Sequence, residues 1–206
     1  MSPIGIFGGT FDPIHFGHLR LAEEMADALH LSQVRFMPAG QPPHRAAPRT
    51  AAHHRTAMVQ RAIAGNPRFV LDTRELEKPT PSYTVETLEA LRAEFGEAQP
   101  LFLLLGADAF LGLPGWHRWQ SLFTLAQLAV ASRPGAALSV DTLTEPLRGE
   151  VMKQTTTQAV RFLDMTPLTI SATLIRAQLA HNRSARYLLP DPVRAYIDEH
   201  QLYPSS

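Results

Sequence analysis

The sequence predicts an α/β fold, an open parallel sheet with helices on both faces, and three observations carry that expectation. Short apolar runs of strand length stop at glycine or proline, and segments with apolar residues at helical spacing lie between them. The chain is also long enough, at 206 residues with 45% hydrophobic content, to bury one proper core. Strands that alternate with helices pair in parallel, since a helical crossover brings each strand back in the same direction.

The first strand is Ile4, Gly5, Ile6, Phe7, ending at the pair Gly8 and Gly9. Leu19, Ala22, Met25, Ala26 and Leu29 then recur at helical spacing, which predicts a helix beginning near Gly17 or His18. Val34, Arg35, Phe36 and Met37 read as a second strand. Met58, Val59, Ala62 and Ile63 mark a helix face before a third strand at Phe69, Val70 and Leu71. Val85, Leu88, Leu91 and Phe95 form another helical face, ended by Gly96. Leu101 to Leu105 make the strongest strand, with Gly106 at its mouth, and Leu128 to Ala131 a further one closed by Arg133, Pro134 and Gly135.

Residues 134–157 are less periodic and read as a surface excursion. Beyond them, Ser171 caps a helix over Ala172 to Ala180, and Asp191 with Pro192 starts one reaching about His200. The expected organisation is one domain over residues 1–206: a Rossmann-like core to about residue 165, and a small C-terminal helical lobe from about 166 to 206.

Nineteen basic and nineteen acidic residues cancel, so a broad positive field for a nucleic-acid polymer is excluded and any anion site is local. Absence of cysteine excludes disulfides, thiolate catalysis and Cys-ligated zinc. The N-terminal residues lead directly into the first strand with no signal-like segment, and no apolar run reaches membrane-spanning length. We therefore expect a cytoplasmic protein with no membrane partner. Oligomeric state is not set by the sequence, and a homo-oligomer is compatible with it.

In open α/β sheets ligands bind beyond the carboxyl ends of the strands, where strand order reverses. The chemically distinctive residues gather at such ends. Gly8, Gly9, Thr10, Phe11, Asp12 and Pro13 follow the first strand and lead to His15, Phe16, Gly17 and His18 at the start of the next helix. Glycines there let backbone approach a ligand, and the first-turn N–H groups of the helix face any bound anion. Ile170, Ser171, Ala172, Thr173, Leu174, Ile175 and Arg176 supply a second candidate phosphate site: hydroxyls and N–H groups at a helix start, with an arginine one turn on.

The ordered string GGTFDPxHxGH resembles the nucleotidyltransferase family marked by an HxGH or TxGH signature, and the second motif resembles that family's ISSTxIR, with Ala172 in place of the second serine. Three further stretches resemble the nicotinate-nucleotide adenylyltransferase branch: Pro42-Pro43-His44-Arg45, Pro81-Ser82-Tyr83-Thr84 with Glu86-Thr87-Leu88, and Gly106-Ala107-Asp108 leading to Pro114-Gly115-Trp116-His117. Many relatives carry lysine where Arg45 stands, which keeps the charge but not the geometry. The resemblance spans almost the whole chain.

It implies transfer of the adenylyl group of ATP to nicotinic acid mononucleotide, with Mg²⁺ arriving on ATP and no tightly held protein metal. His15, His18 and Arg176 would be catalytic. Gly8, Gly9, Thr10, Phe11, Gly106, Asp108, Arg133 and Ser171 would join them around ATP, Asp108 at a ribose hydroxyl. Thr10, His44, Arg45, Ser82, Tyr83, Thr84 and Trp116 would hold the mononucleotide, Trp116 stacking on the pyridine ring and N–H groups near Tyr83 and Thr84 receiving its carboxylate. Each has a plainer alternative. His15 and His18 are also loop-capping residues, Trp116 a partner for Trp119, Asp108 and Ser171 helix caps, and Arg133 and Arg176 surface cations. His53 and His54 read as a solvated helix start. Alternative functions are adenylyl transfer to another acceptor such as phosphopantetheine, a nucleotide-sensing module without catalysis, and a hydrolase with metal on His15, His18 and Asp12.

Overall fold

The computed structural model describes residues 1–40, 48–78, 81–132, 138–154 and 159–204. A six-stranded, wholly parallel sheet runs in the order β3-β2-β1-β4-β5-β6. Its strands are β1 (Ile4–Gly9), β2 (Gln33–Pro38), β3 (Phe69–Leu71), β4 (Leu101–Gly106), β5 (Gln127–Ser132) and β6 (Val160–Asp164). Helices α1 (Phe16–Ala28), α2 (Ala52–Ile63), α3 (Thr84–Phe95), α4 (Ala107–Leu111), α5 (Leu122–Leu125), α6 (Leu147–Lys153), α7 (Ala172–Ala180) and α8 (Asp191–Glu199) connect and follow them.

Alternation along each strand divides the core in two. Phe7, Phe36, Phe102, Leu104 and Ala129 face one side, against Ala22, Met25 and Ala26 of α1, Met58 and Val59 of α2, and Ile175, Val193 and Ile197 of α7 and α8. Ile4, Ile6, Leu101, Leu103, Leu105, Leu128 and Val130 face the other, against Val85, Leu88 and Leu91 of α3, Phe110 of α4 and Leu122 of α5. Strands buried on both faces are apolar throughout, which is why the run from Leu101 was so plain a signal.

Strand order reverses between β1 and β4, and there the sheet splits. β1 pairs β2 along its full length to Gly9↔Pro38, whereas its pairing with β4 ends at Ile6↔Leu103. The last residues of both strands diverge and open a crevice at their carboxyl ends.

Two expectations need correction. Residues 134–157 are not wholly an excursion: α6 forms within them and buries Leu147 and Val151, four residues apart on one face. β5 is not the last strand, because β6 adds a parallel edge through Val130↔Phe162 and Ala131↔Leu163. That edge strand carries Arg161 and Asp164 and is only partly buried, so its apolar signal is diluted. At the C-terminus α8 lies on α2, where Tyr196 Oη meets His54 Nδ1 at 2.9 Å and Arg61 covers the Tyr196 ring at 4.2 Å.

Candidate active site

The loop from Gly9 to His15 is fixed by side chains drawn from distant parts of the chain. Asp12, 4% exposed, is its hub. Asp12 Oδ2 accepts the backbone N–H groups of Arg49 (2.8 Å) and Thr50 (3.3 Å), and Oδ1 accepts the Tyr203 hydroxyl at 2.5 Å. The Asp12 carbonyl accepts Arg176 Nη1 from α7 at 2.6 Å. Arg55 of α2, 1% exposed, donates to the Thr10 carbonyl at 2.9 Å and the Thr50 carbonyl at 3.2 Å. Gly9 is required by close approach, since a Cβ there would stand 2.8 Å from the Phe11 ring.

Phe11, expected beside ATP, turns its ring inward: it is 2% exposed and packs on Phe7, Phe36 and His18. Only its main chain, at φ +50, is left for a ligand. Gly8 and Gly106, at the ends of the two strands flanking the crevice, have no atom within 4 Å of where a Cβ would stand. Nothing in the fold itself demands glycine at either position.

α1 begins at Phe16, slightly earlier than the periodicity suggests, with His15 as its N-cap. The His15 N–H donates to His18 Nδ1 at 3.3 Å, and the two rings stack with centroids 3.7 Å apart. An accepting Nδ1 fixes the neutral tautomer of His18 with its proton on Nε2. The His18 N–H goes to the His15 carbonyl at 3.0 Å, while His15 Nδ1 is buried with no hydrogen-bond partner. Burial pushes the His15 imidazole down to about 4, so it is neutral near pH 7. Gly17 makes the stack sterically feasible: a Cβ there would lie 3.0 Å from His15 Nδ1 and 3.4 Å from the Ile170 carbonyl.

The second motif lies against the first. Ser171 caps α7, its Oγ accepting the Leu174 N–H at 3.1 Å. Arg176 touches Asp12 and, at 3.3 Å, Thr173 Oγ1, while its Nε is buried without a partner. Ser171 is therefore a helix cap by its side chain, as its plainer reading has it, whereas at α1 His15 holds the N-cap position and His18 Nδ1 accepts the His15 N–H.

Across the crevice stand the other expected residues. Tyr83 is the N-cap position of α3 and Thr84 its first residue, with no side chain capping the turn. Ser82, 8% exposed, donates inward to the Glu75 carbonyl at 3.2 Å, and the buried Glu75 carboxylate accepts the Thr87 hydroxyl at 2.8 Å. Tyr83 lies on His117 with ring centroids 4.5 Å apart, which brings the half-buried Trp116 beside the start of α3. Trp119 pairs instead with Phe123 at 6.1 Å. Asp108 is exposed in the first turn of α4, where Gly106, not Asp108, is the N-cap. His44, Arg45 and Arg133 lie outside the described residues.

Arg55, Arg49, Thr50 and Tyr203 were not anticipated from sequence. Arg55 carried a signal, a charge on the apolar stripe it shares with Met58 and Val59; Tyr203 carried none. The metal-hydrolase alternative fits poorly, because both Asp12 oxygens are engaged and the two imidazoles stack face to face instead of converging.

A crevice at a strand-order reversal, with two helix starts and an arginine beside it, is the usual place for a nucleotide in such sheets, and the cytidylyltransferase-like family model matches residues 6–178. A relative from Dechloromonas aromatica (strain RCB) named "Probable nicotinate-nucleotide adenylyltransferase" is 51% identical over 215 residues, covering 100% of this chain and 99% of its own. One of the same name from Pseudomonas putida (strain W619) is 48% identical, covering 97% and 94%. The chain belongs to the nicotinate-nucleotide adenylyltransferase family of nucleotidyltransferases. In fold it resembles Plasmodium falciparum nicotinic acid mononucleotide adenylyltransferase complexed with NaAD, at TM-score 0.77 and 17% identity, covering 98% of both chains.

Proposed function

We propose that this chain joins ATP and nicotinic acid mononucleotide, giving nicotinic acid adenine dinucleotide and pyrophosphate, and that the residues assembled at the split between β1 and β4 carry the reaction. A phosphate oxygen of the mononucleotide attacks the α-phosphorus of ATP; the new P–O bond forms as the bond to the β-phosphate oxygen breaks and pyrophosphate leaves. No general base is needed, since a phosphate monoester with a second pKa near ~6 is already largely dianionic at neutral pH.

The observation that carries the reading is the meeting of the two motifs: Arg176 of α7 reaches the Asp12 carbonyl in the loop that leads to His15 and His18, and its Nε is buried with no partner. Buried polar groups without partners call for an explanation, and an anion between these motifs supplies one. His18, donating from Nε2, and Arg176 stabilise charge developing on the transferred phosphoryl group, with His15 beside them as a neutral imidazole. Alignment of two bound nucleotides supplies roughly 7–11 kcal/mol of the barrier, one aimed donor about 3–4 kcal/mol, and a helix dipole about 1 kcal/mol or less.

On the acceptor side, the uncapped start of α3 receives the pyridine carboxylate and Trp116 stacks on the ring, which favours the acid over the neutral amide. Ser82 supports this turn from behind. Mg²⁺ enters as the counter-ion of the ATP phosphates; Asp12, the carboxylate nearest the motif, is already committed to three protein donors and does not fit as its ligand. Among the described residues no helix is long and apolar enough to cross a membrane, and we place the reaction in the cytoplasm, where ATP is supplied.

Pyrophosphate release from ATP and Mg²⁺, measured with nicotinic acid mononucleotide, nicotinamide mononucleotide and phosphopantetheine in parallel, tests the reading. Clear preference for the acid is expected. Preference for phosphopantetheine, or release with none of the three, overturns it.

A further inference from the structure

We propose that Tyr203 is a positioning residue for ATP, acting through Asp12 on Arg176; this rests on the adenylyltransferase reading above. The hydroxyl of Tyr203 donates to Asp12 Oδ1 across 191 positions of sequence, and the carbonyl of the same aspartate holds Arg176 Nη1. One residue thus receives the C-terminal segment on its side chain and the α7 arginine on its main chain. Arg49 and Thr50 take Oδ2, so the phenol is the only side-chain donor given to the carboxylate and the only contact on Oδ1 among the described residues.

Two further features support a dedicated role. After α8 the chain turns through left-handed backbone at Gln201 (φ +49) and again at Tyr203 (φ +60), conformations that non-glycine residues seldom adopt without compensating contacts. That turn, closed by the Leu202 N–H on the Ile197 carbonyl at 3.0 Å, delivers the phenol to Asp12. Burial, with the Asp12 carboxylate adding to it, holds the Tyr203 phenol far above its ordinary value, so it stays a donor throughout the working pH range. Tyr203, Thr50 and Arg176 also line one pocket, of about 340 Å³.

The test is Tyr203→Phe, which removes the hydroxyl and keeps the ring. ATP and mononucleotide dissociation constants are measured by calorimetry, together with thermal unfolding and turnover. The ATP dissociation constant is expected to rise about tenfold, the low end of what a hydrogen bond to a charged group supplies. The mononucleotide constant should stay within about twofold. In an Arg176→Lys background, the same change should cost ATP binding less than about twofold, because the arginine it positions is gone. An unchanged ATP constant, an equal loss for both ligands, or a full tenfold loss in the Arg176→Lys background overturns the proposal. A wild-type chain that binds ATP but does not turn over overturns the functional reading while the binding comparison still decides the role of Tyr203. A wild-type chain that binds no ATP overturns both.

Discussion

The two sides of the crevice are built on different principles. On the side of β1, α1 and α7, side chains hold main chain in place: Asp12 takes two N–H groups and a phenol, Arg55 takes two carbonyls, and Arg176 takes a third. On the side of α3 and Trp116, the helix start has no side-chain cap, the half-buried Tyr83 lies against the exposed His117, and Trp116 is half-buried. On the reading proposed above, the first side would position the phosphates for in-line displacement. The second would offer aromatic rings and the start of α3, where no side chain caps the turn, to a planar ring with a charged substituent. Damage to the two sides should therefore show in different kinetic constants.

The largest effect is expected at His18. His18→Ala should lower turnover by about 10²–10³-fold, the equivalent of losing one donor aimed at developing charge, while unfolding temperature moves by only a few degrees. Pyrophosphate release and thermal unfolding on the same sample check this. A variant with near-normal turnover would remove His18 from the mechanism and leave the crevice with a binding role alone.

pH separates the sides by sign. Folded His15 titrates at about 4 because it is buried, against ~6.5 in an unfolded chain, so between these values the unfolded state binds more protons. Its contribution is complete above pH ~6.5 and is lost as pH falls towards 4, on the order of 3 kcal/mol in all. Glu75, behind the α3 turn, is raised by burial, with the Thr87 hydroxyl opposing, so its contribution is complete at acid pH and declines as pH rises through its folded value. Urea unfolding from pH 4 to 7.5 should show a shallower rise for His15→Gln than for wild type and a steeper one for Glu75→Gln. Identical slopes in all three proteins would contradict the burial of both groups.

The same division explains what the sequence could disclose. Strands buried on both faces, such as β4 and β5, and helices with an apolar stripe, such as α1 and α3, announce themselves by composition and period. The motif residues from Gly8 to His18 are contiguous, and their chemistry is local. β6 escaped because it is a half-exposed edge with a charge within it, and α6 because its two buried residues are too few to set a period. Asp12 was visible as part of a motif, but not as the meeting point of Arg49, Thr50 and Tyr203. Those contacts join residues 37, 38 and 191 positions apart, and no local pattern encodes them. Phe11 sat in the motif and was assigned to ATP, yet its ring completes the core; adjacency in sequence does not separate the side chain that supports a loop from the backbone that meets the ligand.

At intermediate size, Trp116→Ala tests the acceptor side alone. Truncation of a half-buried indole removes a stacking surface with only a few core contacts, so the mononucleotide KM should rise about tenfold or more while the ATP KM and unfolding temperature stay nearly unchanged. Equal rises in both KM values would instead make Trp116 a structural partner of Tyr83 and His117.

The smallest effect is expected at Ser171, a helix cap that the sequence also places beside ATP as an expectation. Its Oγ accepts the Leu174 N–H, and loss of such a cap costs about 1 kcal/mol of local helix stability. α7 carries Arg176, so fraying of its first turn loosens the arginine's reach to Asp12 and should raise the ATP KM a few-fold, leaving the mononucleotide KM alone. Ser171→Asp separates the two roles. Aspartate caps a helix as well as serine does, so stability should return, but its negative charge faces the triphosphate and should weaken ATP further. If Ser171→Asp restores ATP binding together with stability, Ser171 is a cap only, and the phosphate-binding work of this motif falls to Arg176 and the backbone N–H groups of α7.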